Sequence, residues 1–259
     1  VSGTLRETLG SDFVLPSPAT GYRNSLGRFD YSGAVLPQGE NQYSERVITI
    51  DQNHPLGVCQ NPNDSVNWTQ IKDAVLGIGG NLLQNGIYHI GQEDIPCNLI
   101  IDEAIFFGNG LDSSENGSGL FIIEGDLIVN DDITYIASPI DVVTQLASVG
   151  WIVKGSVTID SGVTQMVGAY TVIGCDSGVV ANCQGAPLLH DGTFDTGSGG
   201  NQLEVRGLVL AKRIILDRNF ADPVVGSEVI FNDGRLHANP PPALVDISRT
   251  IPLISSVRP

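Results

Sequence analysis

Residues 193 to 200 read TFDTGSGG, and an apolar residue followed by Asp-Thr-Gly-Ser is how one catalytic loop of a pepsin-like aspartic protease is spelled. In such an enzyme two carboxylates share one proton, and each sits in an Asp-Ser/Thr-Gly loop whose hydroxyl orients the pair. Asp195 suits that role, and Asp160-Ser161-Gly162 and Asp176-Ser177-Gly178 offer partner carboxylates. The spacing does not suit it. Asp160 and Asp195 are 35 residues apart, far less than a lobe, and only 64 residues follow Asp195, too few to complete a single-lobe enzyme. The same letters serve a β-turn, where Asp offers a local hydrogen bond and Gly a positive φ. An aspartic protease is therefore the remote alternative.

Other acidic neighbours are Asp102 with Glu103 and Asp131 with Asp132. Paired carboxylates carry glycoside hydrolysis, but adjacent strand residues point to opposite faces and converge only where the backbone turns, as Asn130 suggests before Asp131. GNGLDSSENGSG at 108 to 119, and Asp191 with Asp195, offer oxygen ligands without the alternation of a calcium loop. His54, His89, His190 and His237 form no i, i+4 pair, and no nucleophile elbow, P-loop or dinucleotide fingerprint occurs. The reading is thus of a protein with no catalytic residue, no metal ligand and no cofactor, with carbohydrate binding or carbohydrate chemistry as the alternative.

Acidic residues number 29 against 13 basic ones, a formal net charge of -16 and a pI near 4.3. Repulsion excludes nucleic acid and anionic membrane surfaces as partners. Cys59, Cys97, Cys175 and Cys183 form an even set without zinc-type spacing. Of three pairings, Cys59 with Cys97 and Cys175 with Cys183 are expected, the second bracketing GCDSGVVANCQ. Both imply an oxidising compartment. A chain that opens on Val1 reads as an exported protein relieved of its leader, and sequons at Asn63, Asn67 and Asn116 fit a secreted, glycosylated surface. No run of 18 apolar residues spans a membrane.

What would position these residues is a stack of strands. Residues 1–50 are Gly-, Pro-, Ser- and Asn-rich and read as an extended arm, with strand-like RVITI at its end. VNWTQIKDAVL at 66–76 predicts a short capping helix, and DVVTQLAS at 141–148 a second. From Gly80 onward, short apolar runs alternate with Gly, Asn and Asp. FIIEGDLIV around Gly125, WIVKGSVTI around Gly155 and LEVRGLVLA around Gly207 share one grammar: apolar residues two and four places to either side of the glycine. Period-two alternation buries that set and leaves Glu124, Lys154 and Arg206 outside. The glycines are 30 and 52 residues apart, which leaves room for an intervening coil at AYTVIG, 169–174. With IYHI at 87–90 and NLIIDEAIFF at 98–107 as earlier coils, an all-β parallel β-helix of five or six rungs, each about 4.8 Å high, is predicted over 51–218. In that stack Glu124 and Lys154 become outer-face neighbours.

WIVKGSVTIDSGVTQMVGAY, NQLEVRGLVLAKRIILDRNF and EVIFNDGRLHANPPP resemble a group of uncharacterised exported bacterial proteins with β-helical surface domains. The resemblance covers the second half of the chain and implies fold and cell-surface location, with no catalytic residue.

A solenoid exposes unpaired backbone groups at its end rungs. The arm 1–50 and the Pro-rich, extended tail 219–259 are candidate donors to neighbouring copies. The expectation is therefore a structural extracellular protein, the subunit of a cell-surface filament or homopolymer, with surface glycans as further partners.

Overall fold

The computed structural model describes residues 47–77, 80–174, 191–220, 226–242 and 244, all within a compact unit formed by 44–259. The chain winds as a parallel β-helix. Its strands are β1 (Val47–Ile50), β2 (Asp64–Asn67), β3 (Gly86–Ile90), β4 (Cys97–Ile101), β5 (Ile105–Phe107), β6 (Ser118–Ile123), β7 (Leu127–Val129) and β8 (Ile133–Tyr135). They continue as β9 (Ser148–Val153), β10 (Val157–Ile159), β11 (Gln165–Val172), β12 (Thr193–Asp195), β13 (Leu203–Ala211), β14 (Arg213–Ile215) and β15 (Glu228–Phe231). Among the described residues two helices join them, α1 (Trp68–Leu76) and the single turn α2 (Arg235–Ala238).

Sheet A runs β1-β3-β6-β9-β11-β13-β15, sheet B runs β14-β12-β10-β7-β4-β2, and β5 with β8 makes a small third wall. Every pairing between these strands is parallel. Strands alternate between the sheets along the chain, so each coil lays its side chains on those of the coil before it. Sheet A holds seven rungs, more than the five or six expected. β1 begins the stack within the stretch read as an arm, and β15 lies within the stretch read as a tail. IYHI and the first half of NLIIDEAIFF are two sides of one coil, in sheets A and B.

Period-two alternation fills the interior with columns. One column of sheet A is Tyr88, Phe121, Trp151, Tyr170 and Val209. Its rings stack at 4.9 Å for Tyr88 and Phe121, 4.4 Å for Phe121 and Trp151, and 6.0 Å for Trp151 and Tyr170. The facing column of sheet B is Val66, Leu99, Leu127, Val157, Phe194 and Ile214. Fully burying one such side chain stabilises by roughly 1.5–3 kcal/mol. The Trp151 indole N–H donates to Val167 O (3.4 Å) and the Tyr170 hydroxyl to the same oxygen (2.9 Å), which satisfies the polar tips of the stack.

Helix α1 forms where expected. Ile71 and Val75, one turn apart, are buried in the core beside Trp68, whose ring meets Phe107 at 6.2 Å and Phe121 at 5.9 Å. It fills the interior beside β2 and β4. The helix expected over 141–148 is only a 3-10 turn, Val143–Gln145, and Ser148 already begins β9. Gln145 Oε1 accepts the N–H groups of Asp141 (2.6 Å) and Val142 (2.9 Å), a local closure that competes with helix extension.

Sheet A also departs from the expected one-sided burial. Leu120, Ile122, Ile152 and Val167 face away from the interior columns and are nonetheless buried. Residues 235–242 and Leu244 fold back over part of that face, with Pro241 and Leu244 lying over Gly150, where an added Cβ would meet both. Asn239 Nδ2 fastens this segment, lying 2.8 Å from Thr144 O, 2.8 Å from Leu146 O and 3.1 Å from Asn116 Oδ1.

The register of Gly207 is a correction. Gly125 and Gly155 do lie one over the other at the corner between sheets, with Gly155 N–H donating to Gly125 O at 2.9 Å. Gly207 instead pairs with Gly168, mid-strand in sheet A, both at positive φ. A period-two pattern matches itself at any even shift, so LEVRGLVLA fits either register. Arg206 accordingly stands beside Val167 and pairs with Glu204, away from the Glu124 and Lys154 ladder.

Candidate functional site

TFDTGSGG is the end of β12 and the turn after it. The Asp195 carboxylate accepts Gly197 N–H at 2.9 Å, Gly197 sits at φ 70°, and the Thr196 hydroxyl lies 3.1 Å from Ile215 O on the next coil. The loop thus uses its Asp, Thr and Gly to make a turn. Asp160 makes the same kind of turn, accepting Gly162 N–H at 2.7 Å. Asp176, Cys175, Cys183 and His190 lie outside the described residues.

The other acidic pairs also hold coils. Asp102 accepts Thr69 N–H (3.0 Å) and the Thr69 hydroxyl (2.6 Å) at the start of α1, and Glu103 meets Lys72 Nζ at 2.5 Å. Burial pushes the Asp102 pKa up, but the hydrogen bonds from Thr69 outweigh it and hold the carboxyl below its ordinary value. Asp132 accepts Thr164 N–H (2.6 Å), the Thr164 hydroxyl (2.9 Å) and Gln165 N–H (3.0 Å), and Asp131 accepts the N–H of Asp132 at 2.8 Å. In the 108–119 loop, Glu115 Oε2 accepts Leu111 and Asp112 N–H, and Asp112 accepts Ser114 N–H. Among the described residues no group of three His, Cys, Asp or Glu is placed to hold a metal ion, and no described helix is long and apolar enough to cross a membrane.

The predicted Glu124 and Lys154 neighbours meet at 2.7 Å, and His89 joins from the preceding coil at 2.6 Å from the other Glu124 oxygen. The carboxylate is 4% exposed. Burial raises its pKa, while the His89 hydrogen bond and the Lys154 charge and hydrogen bond outweigh that and hold it below the ordinary carboxylate value. Three rungs are tied by one buried anion.

Sequence reasoning missed two devices. The first is a polar column at the corner entering sheet B: Ser65, Asn98, Asp126, Ser156, Thr193 and Arg213. Asn98 Oδ1 accepts Asp126 N–H and Asp126 Oδ1 accepts Ser156 N–H, both at 2.8 Å. The reaching oxygen occupies the space of the next coil's Cβ. A Cβ on Gly125 would lie 2.4 Å from Asn98 Oδ1, and one on Gly155 2.1 Å from Asp126 Oδ1. The recurrent Gly-polar pair, visible as Gly125-Asp126, Gly155-Ser156 and Gly192-Thr193, was the available signal.

The second is Arg218, 6% exposed. Its guanidinium donates to Thr196 O (2.8 Å), Val163 O (2.5 Å), Asp160 O (2.9 Å) and Asn201 O (3.4 Å), clamping turns of two coils. Burial pulls its pKa below the ordinary value, opposed by Glu228, Asp160 and Asp132. No local pattern around a lone Arg reveals such a clamp.

Cys59 and Cys97 are bonded, with Cα atoms 5.4 Å apart. The disulfide fastens the loop before β2 to the next coil. Of the sequon residues, Asn63 is exposed at φ 68°, Asn67 precedes α1 and donates its N–H to Gln70 Oε1 (2.8 Å), and Asn116 Oδ1 accepts from Ser118 N–H (2.9 Å).

The two ends of the stack differ. At the first coil Ile50 and Val66 are fully buried and Ile48, which heads the column of Tyr88, is half-buried. At the last, Ile214 continues the interior column of Phe194 yet is 44% exposed, and Leu210, Leu216, Ile230 and Phe231 of the final strands and their connection are also exposed. Among the described residues nothing pairs with the outer edge of β14 or of Leu208–Ala211. This end of the described fold leaves strand edges and apolar side chains open.

Compared with protein-family models, with curated proteins and with solved structures, the chain shows no match.

Proposed function

We propose that this protein is a structural extracellular building block, a subunit that assembles with copies of itself into a cell-surface filament or layer. The supporting observation is the last coil, whose core residue Ile214 stands uncovered. Uncapped solenoid ends call for a further rung from another molecule. The carboxylates that suggested catalysis serve in turns and between coils instead, which favours a scaffold over a hydrolase. The Cys59–Cys97 disulfide fits an oxidising compartment.

Sedimentation and negative-stain microscopy of the full chain test the reading. Fibres or extended oligomers are expected. A monodisperse monomer across the micromolar range, or turnover of a polysaccharide or peptide that is lost in Asp131→Asn or Asp195→Asn, would overturn it.

A further inference from the structure

Resting on that reading, we infer that copies stack head to tail in coil register, so that the sixth coil of one molecule is continued by the first coil of the next. The register columns carry the inference. Following the pairings through sheet A, Leu208–Ala211 occupies the column that begins with Val47–Ile50. Following sheet B, Arg213 occupies the column that begins with Ser65, and Ile214 the one that begins with Val66. The seventh rung does not cover these positions: β15 pairs only with Leu203–Arg206, and the chain then turns into α2. The two open edges at one end thus belong to a single coil, and their column partners at the other end belong to a single coil too. Among the described residues no strand pairs with the outer edge of β1 or β2, and a parallel strand pair needs such matched, unpaired edges on both sides.

Charge agrees with the register. Lys212 and Arg213 are the only adjacent basic residues in a chain of net charge -16. Both are exposed at the open edge, and neither has an ion-pair partner among the described residues. One place before Ser65 stands Asp64, so continuing sheet B sets Lys212 against Asp64 of the next copy and Arg213 against its Ser65. The first coil also carries the exposed apolar residues Val47 and Leu56 to meet the apolar end. Complementary charge fixes orientation, and a heterologous contact of this kind propagates instead of closing.

The test mixes two full-length variants, Ser65→Cys and Arg213→Cys, oxidises them gently and separates the products without reductant. The expected product is a mixed dimer, at least tenfold more abundant than with Glu204→Cys in place of Arg213→Cys. Lys212→Glu with Arg213→Glu should raise the concentration needed for assembly on the order of tenfold, and Asp64→Lys in the partner should recover part of it. Assembly that persists without the mixed crosslink and ignores both charge changes overturns this interface while leaving the structural role standing. Crosslinking of Arg213→Cys to itself alone overturns it in favour of a tail-to-tail dimer. A protein that stays monomeric overturns both.

Discussion

Gly155→Ala tests the corner ladder directly. The new Cβ would lie 2.1 Å from Asp126 Oδ1, 2.6 Å from Gly125 O and 2.8 Å from Gly125 C. Two of these are backbone atoms, so rotation of a side chain cannot relieve the crowding. Overpacking costs about 1–3 kcal/mol. Displacing the Asp126 carboxylate also breaks its 2.8 Å bond to Ser156 N–H, a charge-assisted hydrogen bond contributing about 1.5–3 kcal/mol. Together the cost is about 3–5 kcal/mol, a fall in melting temperature of roughly 6–20 °C for a domain of this size. The assay is thermal unfolding by circular dichroism at neutral pH. Gly234→Ala is the control: nothing lies within 4 Å of its Cβ and its φ is -62°, so stability should hold or rise by about 0.4–1 kcal/mol. Asp126→Ala in the Gly155→Ala background should cost less than Asp126→Ala alone, because the bond is already lost. A Gly155→Ala protein as stable as the wild type would refute the ladder as drawn.

Glu124, whose pKa is depressed in the fold, contributes stability that is complete above the ordinary carboxylate value and is lost as pH falls through the lowered one. Melting temperature should therefore drop on acidification below about pH 4.5, and Glu124→Gln should be less stable at neutral pH with a flatter acid limb. Arg218→Ala should destabilise by about 3 kcal/mol, since it strands several buried carbonyls. Arg218→Lys should recover only part of that, lacking the planar fork, as denaturant titration would show. Replacing Cys59 and Cys97 by Ala should cost about 3–4 kcal/mol through the freed loop, and limited proteolysis should then cut first between 51 and 63.

The sequence carries the β-helix because alternation is a local signal: FIIEGDLIV and WIVKGSVTI place Phe121 on Trp151 and Glu124 beside Lys154 without any knowledge of the turns. AYTVIG falls between them and LEVRGLVLA, as Tyr170 on Trp151 confirms. Cys59 and Cys97 are bonded as expected, a pairing reached through the short loop between Cys175 and Cys183, which lie outside the described residues. Gly207 was misplaced because apolar alternation does not distinguish shifts by an even number of residues, whereas the corner is marked by the polar residue after the glycine. Asp126 and Ser156 carry that mark, and Leu208 does not. Arg218 was illegible for a different reason. Its partners are main-chain carbonyls up to 58 residues away, and a carbonyl has no letter in the sequence. The same holds for the cover over sheet A, where Leu244 meets Gly150 through a turn that composition alone reads as extended.

The Gly-polar corner also bears on how long such a molecule can be. Each coil offers its successor an oxygen and a vacant place, and asks of it only an N–H and a missing side chain. Gly125 and Gly155 present identical terms thirty residues apart, so excising 125–154 would leave Gly155 facing Asn98 just as Gly125 does now. Height can then change by whole turns without renegotiating the rest, and a lineage built on this rule could lengthen or shorten its reach like a ruler cut at its graduations.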